Sequence, residues 1–221
     1  IMCGIFGSSN YERLKTLYNL NKERGSFAYG YLYRDGQDKF LIQRGEGDVM
    51  PSSIIDVDDF NYYLGHTQGP TSSERSFTEE TSHPFTYKRW VVAHNGVLSN
   101  HKKLYPDNKC VVDSSVIPYL LHNNYKDDVI KAISKTCSQL EGTFSCWIFD
   151  SKENDIYIVR CGSTLFYNEN GDISSKKPDD SWATIKEGDI YKLIDNNTVD
   201  GAPANFVSVG SFKTNSPYFI L

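Results

Sequence analysis

The sequence has no cysteine pairs. Its five thiols, at positions 3, 110, 137, 146 and 161, are odd in number, widely spaced and never in a C-x-x-C arrangement. That pattern argues against a disulfide framework and against a zinc site, and fits reduced thiols in a cytoplasmic protein. No stretch approaches the ~20 apolar residues of a membrane span, and the residues before Cys3 do not read as a signal segment. Basic excess is missing too. With 23 Lys and Arg against 28 Asp and Glu, the net charge is −5, which gives no bulk-charge case for nucleic acid or an anionic membrane. A phosphate-cradling glycine loop and a dinucleotide fingerprint are absent, and nothing suggests a metal or an organic cofactor. No internal repeat, low-complexity run or composition break divides the chain, so residues 1–221 are expected to form one domain.

What is present is a globular, aromatic-rich chain of 221 residues, with 39% hydrophobic and 14% aromatic residues, including 15 Tyr and 12 Phe. Such a composition suits strands. Residues 3–8 read as a short buried strand. Ser9-Asn10-Tyr11-Glu12 reads as a capping box, followed by a helix with Leu14, Leu17, Tyr18 and Leu20 on one face and Gly25 at its end. Strands over 28–34 and 38–43 are joined at Asp35-Gly36, and residues 44–59 form a connection. Further strands are expected over 60–66 and 90–94, the latter ending in a turn at Asn95-Gly96. Between them lies a long polar loop, the kind that often covers a site. A helix follows Asp113-Ser114, and a clearer one spans 126–140 with Cys137 on its buried face. Strands then occupy 143–149, 155–161, 164–168, 181–186, 189–194 and 205–212. Segregated helices and strands of this kind predict an α+β fold with largely antiparallel sheets.

Cys3 carries the chemistry most open to reading. A cysteine at the first position of a mature chain holds a nucleophilic sulfur and a free α-amine on one carbon. The amine, with a pKa of about 7.7–8.0, is partly neutral near pH 7 and can take the thiol proton directly or through water. With Met2 as the start residue, aminopeptidase removal exposes Cys3. If Ile1 and Met2 are retained, the amine is locked in a peptide bond and this chemistry is closed. The bland alternative is a packing cysteine. Asn95-Gly96 is open in the same way, as an ordinary tight turn or as an amide side chain and an N–H presented at a strand end.

Several short motifs then fall in one order: Cys3-Gly-Ile-Phe-Gly7, Arg24-Gly through Gly30, Gly65-His66-Thr67, His83-Pro84, His94-Asn95-Gly96, Asp113-Ser-Ser-Val-Ile117, Leu140-Glu-Gly-Thr-Phe144, Arg160-Cys-Gly-Ser-Thr-Leu165 and Glu187-Gly-Asp-Ile190. Together they resemble the glutaminase domain of class II glutamine amidotransferases, within the N-terminal-nucleophile hydrolases. The likeness is nearest to the glutaminase half of glucosamine-6-phosphate synthase and covers about residues 3–195, leaving 196–221 as an extension. The resemblance implies a four-layer αββα sandwich of two antiparallel sheets between helical layers. It also implies hydrolysis of a glutamine side-chain amide through a thioester on Cys3. The Asn95 amide and the Gly96 N–H would hold the oxyanion, Asp113 the substrate ammonium (its other reading is a helix cap), Thr71 would bond the substrate, and Arg24 would stand near the nucleophile. His66, His83 and His94 match no catalytic role and are expected to be structural.

One position departs from the pattern. The family's Gly-His-Thr is followed by an arginine that grips the substrate α-carboxylate, and this chain has Gln68. A neutral amide forfeits the charge-assisted pair. Arg75 in the polar loop could restore the charge, the substrate could be another glutamine-like or γ-glutamyl amide, or the site could be a silent binding scaffold. Gln68→Arg is expected to tighten free glutamine, and no gain would mean that the carboxylate is held elsewhere. The family usually delivers its ammonia to a synthase, here a separate subunit unless the chain is a standalone amide hydrolase, and the apolar 218–221 tail reads as a core anchor or a docking tail for such a partner.

Overall fold

The computed structural model describes residues 3–50, 60–69, 76–109, 112–194 and 205–215. Thr71, Arg75, Cys110, Ile1-Met2, the turn at 195–197 and the 218–221 tail lie outside the described residues.

The chain opens with β1 (Gly4–Ser8) and α1 (Tyr11–Asn21), then β2 (Ala28–Arg34), β3 (Phe40–Glu46), β4 (Tyr62–Gln68), β5 (Phe85–Tyr87) and β6 (Trp90–Leu98). A short α2 (His101–Leu104), α3 (Val116–Asn124) and α4 (Val129–Gln139) follow. The remainder is β7 (Gly142–Asp150), β8 (Asp155–Cys161), β9 (Phe166–Tyr167), β10 (Ile173–Ser174), β11 (Ala183–Thr184), β12 (Asp189–Ile194) and β13 (Asn205–Ser211). Among the described residues, one sheet has the order β11-β9-β10-β1-β4-β2-β3 and the other β13-β12-β8-β7-β6-β5. Every strand pair in both is antiparallel.

Strand alternation builds three apolar layers. Phe6, Tyr31, Tyr33 and Tyr63 face outward from the first sheet and cover Leu14, Leu17 and Tyr18 of α1. Ile5, Leu32 and Leu64 face inward, against Val91, Ala93, Trp147 and Phe149 of the second sheet. The outer face of that sheet, with Trp90, Val92, Cys146 and Ile148, meets Ile117, Leu121, Ile133 and Cys137 of α3 and α4. The result is the αββα sandwich that the resemblance implies. A polar bond crosses the inner layer, from Trp147 Nε1 to the Gly65 carbonyl at 3.2 Å.

Four local expectations need correction. The cap of α1 is Asn10, whose side chain accepts from Arg13 N at 2.9 Å; Ser9 instead receives the Arg13 guanidinium. The buried face of α1 runs through Asn21, with Leu20 half-buried. The strand beginning at Trp90 does not stop before Asn95-Gly96 but runs on to Leu98, because β7 pairs with it along all nine residues. Asp113 makes no helix-capping bond; it opens a 3-10 turn, Asp113–Ser115, that leads into α3.

Candidate active site

Cys3 stands one residue before β1 and is 7% exposed. Gly4 pairs with Thr67 of β4, and Ala28 of β2 pairs with Gln68. One step beyond the Gly4 pair, the register sets Cys3 beside Gln68, and alternation turns both to the inner face with Ile5. Arg24 lies in the 3-10 turn Lys22–Arg24 that follows α1. Its Nε donates to the Cys3 carbonyl at 2.8 Å and its Nη1 to the Ser175 carbonyl at 3.4 Å. Burial pushes the Arg24 guanidinium below its usual range, while the negative charge of a Cys3 thiolate pulls it back. By the same attraction the guanidinium favours that thiolate.

Ser175, directly after β10, holds the nucleophile strand from the other side. Its Oγ accepts from Ile5 N at 3.0 Å, and its N–H donates to the Ile5 carbonyl at 2.8 Å. Ser175 O also receives Thr164 Oγ1 at 2.8 Å. The Thr164 carbonyl in turn receives Ser145 Oγ at 3.2 Å, and Ser145 Oγ accepts from Asn95 Nδ2 at 3.4 Å. Asn95 and Ser145 are register partners in β6 and β7 and face inward with Ala93 and Trp147. A chain of hydrogen bonds thus connects Cys3 to Asn95 across the gap between the sheets, by way of Arg24, Ser175, Thr164 and Ser145. The Asn95 side chain is buried, and its Oδ1 makes no hydrogen bond.

Gly96 has φ +148, and a Cβ there would lie 2.0 Å from the Thr143 carbonyl oxygen. Only glycine fits this approach of β6 to β7. On the other edge of β6, β5 pairs only as far as Val92. Leu98 N points to that unpaired edge, where it donates to Asp113 Oδ2 at 2.7 Å. The period of two directs Gly96 N–H to the same edge. Asp113 Oδ1 also accepts from Ser114 N at 2.8 Å. Two N–H donors leave the half-buried carboxylate with acceptor capacity to spare.

His66, His83 and His94 are buried. His94 Nε2 donates to the Thr143 carbonyl at 3.2 Å, so its Nδ1 accepts from Ser114 Oγ at 2.8 Å. Burial lowers the His94 pKa, opposed by the charge of Asp113. His66 and His83 stack with centroids 3.9 Å apart. Gln68 is fully buried, and its Oε1 meets His83 Nδ1 at 3.5 Å. Among the described residues, no group of three His, Cys, Asp or Glu could hold a metal, and no helix is long and apolar enough to cross a membrane.

Of the predicted site residues, Cys3 and Arg24 are in direct contact, Asn95 is joined to them by the hydrogen-bond chain, and Gly96 and Asp113 share the β6 edge. Gln68 flanks Cys3. Sequence reading missed Ser145, Thr164 and Ser175. Two of them carried a usable signal: Thr164 stands within the Arg160–Leu165 motif, and Ser145 is a hydroxyl at an inward position within the apolar run Phe144–Phe149.

In fold and in sequence the chain is similar to class II glutamine amidotransferase domains of the N-terminal-nucleophile type. No protein-family model matches it. Among curated relatives, 7-cyano-7-deazaguanine synthase 2 of Sulfurisphaera tokodaii is 27% identical over 179 residues, which is 72% of this chain and 39% of the relative. Glutamine--fructose-6-phosphate aminotransferase of Oceanobacillus iheyensis is 29% identical over 223 residues, 94% of this chain and 37% of the relative. The chain therefore spans less than two-fifths of the length of these relatives. Among solved structures, the glutamine phosphoribosylpyrophosphate amidotransferase from B. subtilis matches with a TM-score of 0.72 over 97% of this chain and 50% of its own, at 16% identity, a likeness of fold.

Proposed function

We propose that residues 1–221 form one glutaminase-type domain that hydrolyses the side-chain amide of glutamine and passes the ammonia to a synthase domain or subunit. Free thiols suit a reducing, cytoplasmic setting. The observation that carries the reading is the hydrogen-bond chain linking buried Cys3 to the inward-facing Asn95. Removal of Ile1 and Met2 frees the Cys3 amine. That amine takes the thiol proton, and the sulfur attacks the amide carbonyl carbon. The carbonyl π pair moves onto oxygen, and Asn95 Nδ2–H with Gly96 N–H stabilises the oxyanion. Collapse breaks the C–N bond, and the protonated amine gives its proton to the leaving ammonia. Water, deprotonated by the same amine, then attacks the thioester, releases glutamate and restores the thiol. Each oxyanion donor in such a site is worth about 2.7–4 kcal/mol of barrier.

Asp113 suits the substrate α-ammonium. Its oxygen meets Leu98 N, two residues along the edge from Gly96, or about 7 Å of strand, comparable to the reach of a glutamine from side-chain amide to α-amine. In this reading Thr71 bonds the substrate and Arg75 supplies the charge that Gln68 lacks. The enclosed Gln68 favours one second reading: hydrolysis of a γ-glutamyl or other glutamine-like amide without a free α-carboxylate.

Mass spectrometry of untagged protein is expected to show a chain starting at Cys3. Diazo-oxo-norleucine, a glutamine-analogue alkylator, is then expected to add mass at Cys3 and none to Cys3→Ala. No labelling of a correctly processed chain refutes free glutamine as substrate and favours the second reading. Retention of Met2 refutes the N-terminal mechanism and leaves the silent scaffold.

A further inference from the structure

We infer that Ser145 and Thr164 are positioning residues that fix which end of the Asn95 carboxamide faces the reacting carbonyl. The inference rests on Asn95 acting as an oxyanion donor. An asparagine amide presents a donor end and an acceptor end of nearly equal shape, so its neighbours must choose between them. Ser145 Oγ carries one proton, and two carbonyls compete for it: that of Thr164 at 3.2 Å and that of Asn95 itself at 3.5 Å. Either way the proton is committed to a carbonyl. Towards the Asn95 side chain, Ser145 can then only accept, which selects Nδ2 at 3.4 Å and turns Oδ1 away. The second N–H of Nδ2 stays available for a developing oxyanion. A flipped amide would bring Oδ1 against an oxygen that has no proton left to give, and would take the donor from the pocket.

Thr164 ties this choice to the nucleophile. Its carbonyl takes the Ser145 proton, and its Oγ1 donates at 2.8 Å to Ser175 O. That carbonyl also receives Arg24 Nη1, and Arg24 Nε holds the Cys3 carbonyl at 2.8 Å. The two hydroxyls therefore link the oxyanion amide and the nucleophile strand, on opposite sheets, through two carbonyls, those of Thr164 and Ser175.

The test combines a mutant cycle with a measurement independent of turnover. Ser145→Ala is expected to lower kcat about tenfold, less than outright loss of an oxyanion donor, with KM changed by no more than about twofold. Ser145→Thr is expected to restore most of the rate. In an Asn95→Ala background, Ser145→Ala is expected to cost nothing further, because it acts through Asn95. Additive losses overturn the inference. Independently, NMR exchange of the Asn95 side-chain N–H pair is expected to accelerate about fivefold in Ser145→Ala, roughly what one neutral hydrogen bond is worth. Unchanged exchange overturns the inference whether or not the chain turns over glutamine. Wild-type protein without glutaminase activity overturns the proposed function instead, and the exchange data still decide the positioning role. Ser145→Cys, whose sulfur is only a weak acceptor, carries the same exchange test if Ser145→Ala does not fold.

Discussion

Gly96→Ala measures how tightly the oxyanion strand is set. A Cβ at this position would lie 2.0 Å from the Thr143 carbonyl oxygen and 2.6 Å from its carbon. Both are far inside ordinary contact, so β6 and β7 must part by more than an ångström. That movement strains the bonds from His94 Nε2 to Thr143 O and from Val97 N to Thr143 Oγ1. The positive φ costs about 1–2 kcal/mol, and each weakened hydrogen bond adds about 0.5–1.5 kcal/mol. The sum is about 2–5 kcal/mol, a fall in Tm of about 5–15 °C for a chain of this size. Gly47 supplies the control. Its φ is +99, but nothing lies within 4 Å of the position a Cβ would take, so Gly47→Ala carries the conformational cost alone, about 1–2 kcal/mol. In a coupled assay of released ammonia, Gly96→Ala is expected to lower kcat by about 10²–10³, and Gly47→Ala to leave it unchanged. Equal Tm losses in the two variants refute the packing argument. An unchanged kcat in Gly96→Ala removes its N–H from the oxyanion site.

Three further outcomes follow from the same geometry. Arg24→Gln removes the cation that favours the Cys3 thiolate, so the pH profile of Cys3 alkylation by iodoacetamide is expected to move to higher pH; an unmoved profile refutes the coupling. Gln68→Arg places a charge in a fully enclosed slot beside the stacked His66 and His83, at a cost of about 3–5 kcal/mol if the charge stays unpaired. Its Tm without ligand is expected to fall and its glutamine-induced Tm rise to exceed that of wild type, whereas an equal or smaller rise shows that the carboxylate is held elsewhere. His94 has its folded pKa below the unfolded value of about 6.5, so its neutral form stabilises the fold above that pH, and the contribution is lost as pH falls towards the folded value. Urea unfolding from pH 7.5 to 5 is therefore expected to destabilise wild type more steeply than His94→Gln, and parallel slopes refute the assignment.

The sandwich was legible because its periodicities are long. The alternation Tyr29, Tyr31, Tyr33 against Leu32 marks two faces of one strand, and the stripe through Ile133 and Cys137 marks a helix. The strand that flanks the nucleophile, Ile173–Ser174, was not legible: two residues carry no period, and only pairing with β1 on one side and β9 on the other makes them a strand. Asn95-Gly96 misled for a related reason. The dipeptide favours a turn where the chain is free to reverse, but β7 offers a partner residue for each position from Trp90 to Leu98. The ladder carries the chain straight through, with a φ that glycine alone accepts at no cost. Gln68 was visible as a departure, yet its surroundings were not, because His83 arrives from fifteen residues farther along the chain. The two are physically connected. A slot shut off from bulk solvent beside two stacked imidazoles is a poor place for a guanidinium, and a side chain of similar length without charge fits there at little cost. The identity of residue 68 and the stacking of His66 on His83 are thus parts of one arrangement, and a substitution at either histidine that opens the slot to water should make an arginine at 68 easier to accommodate.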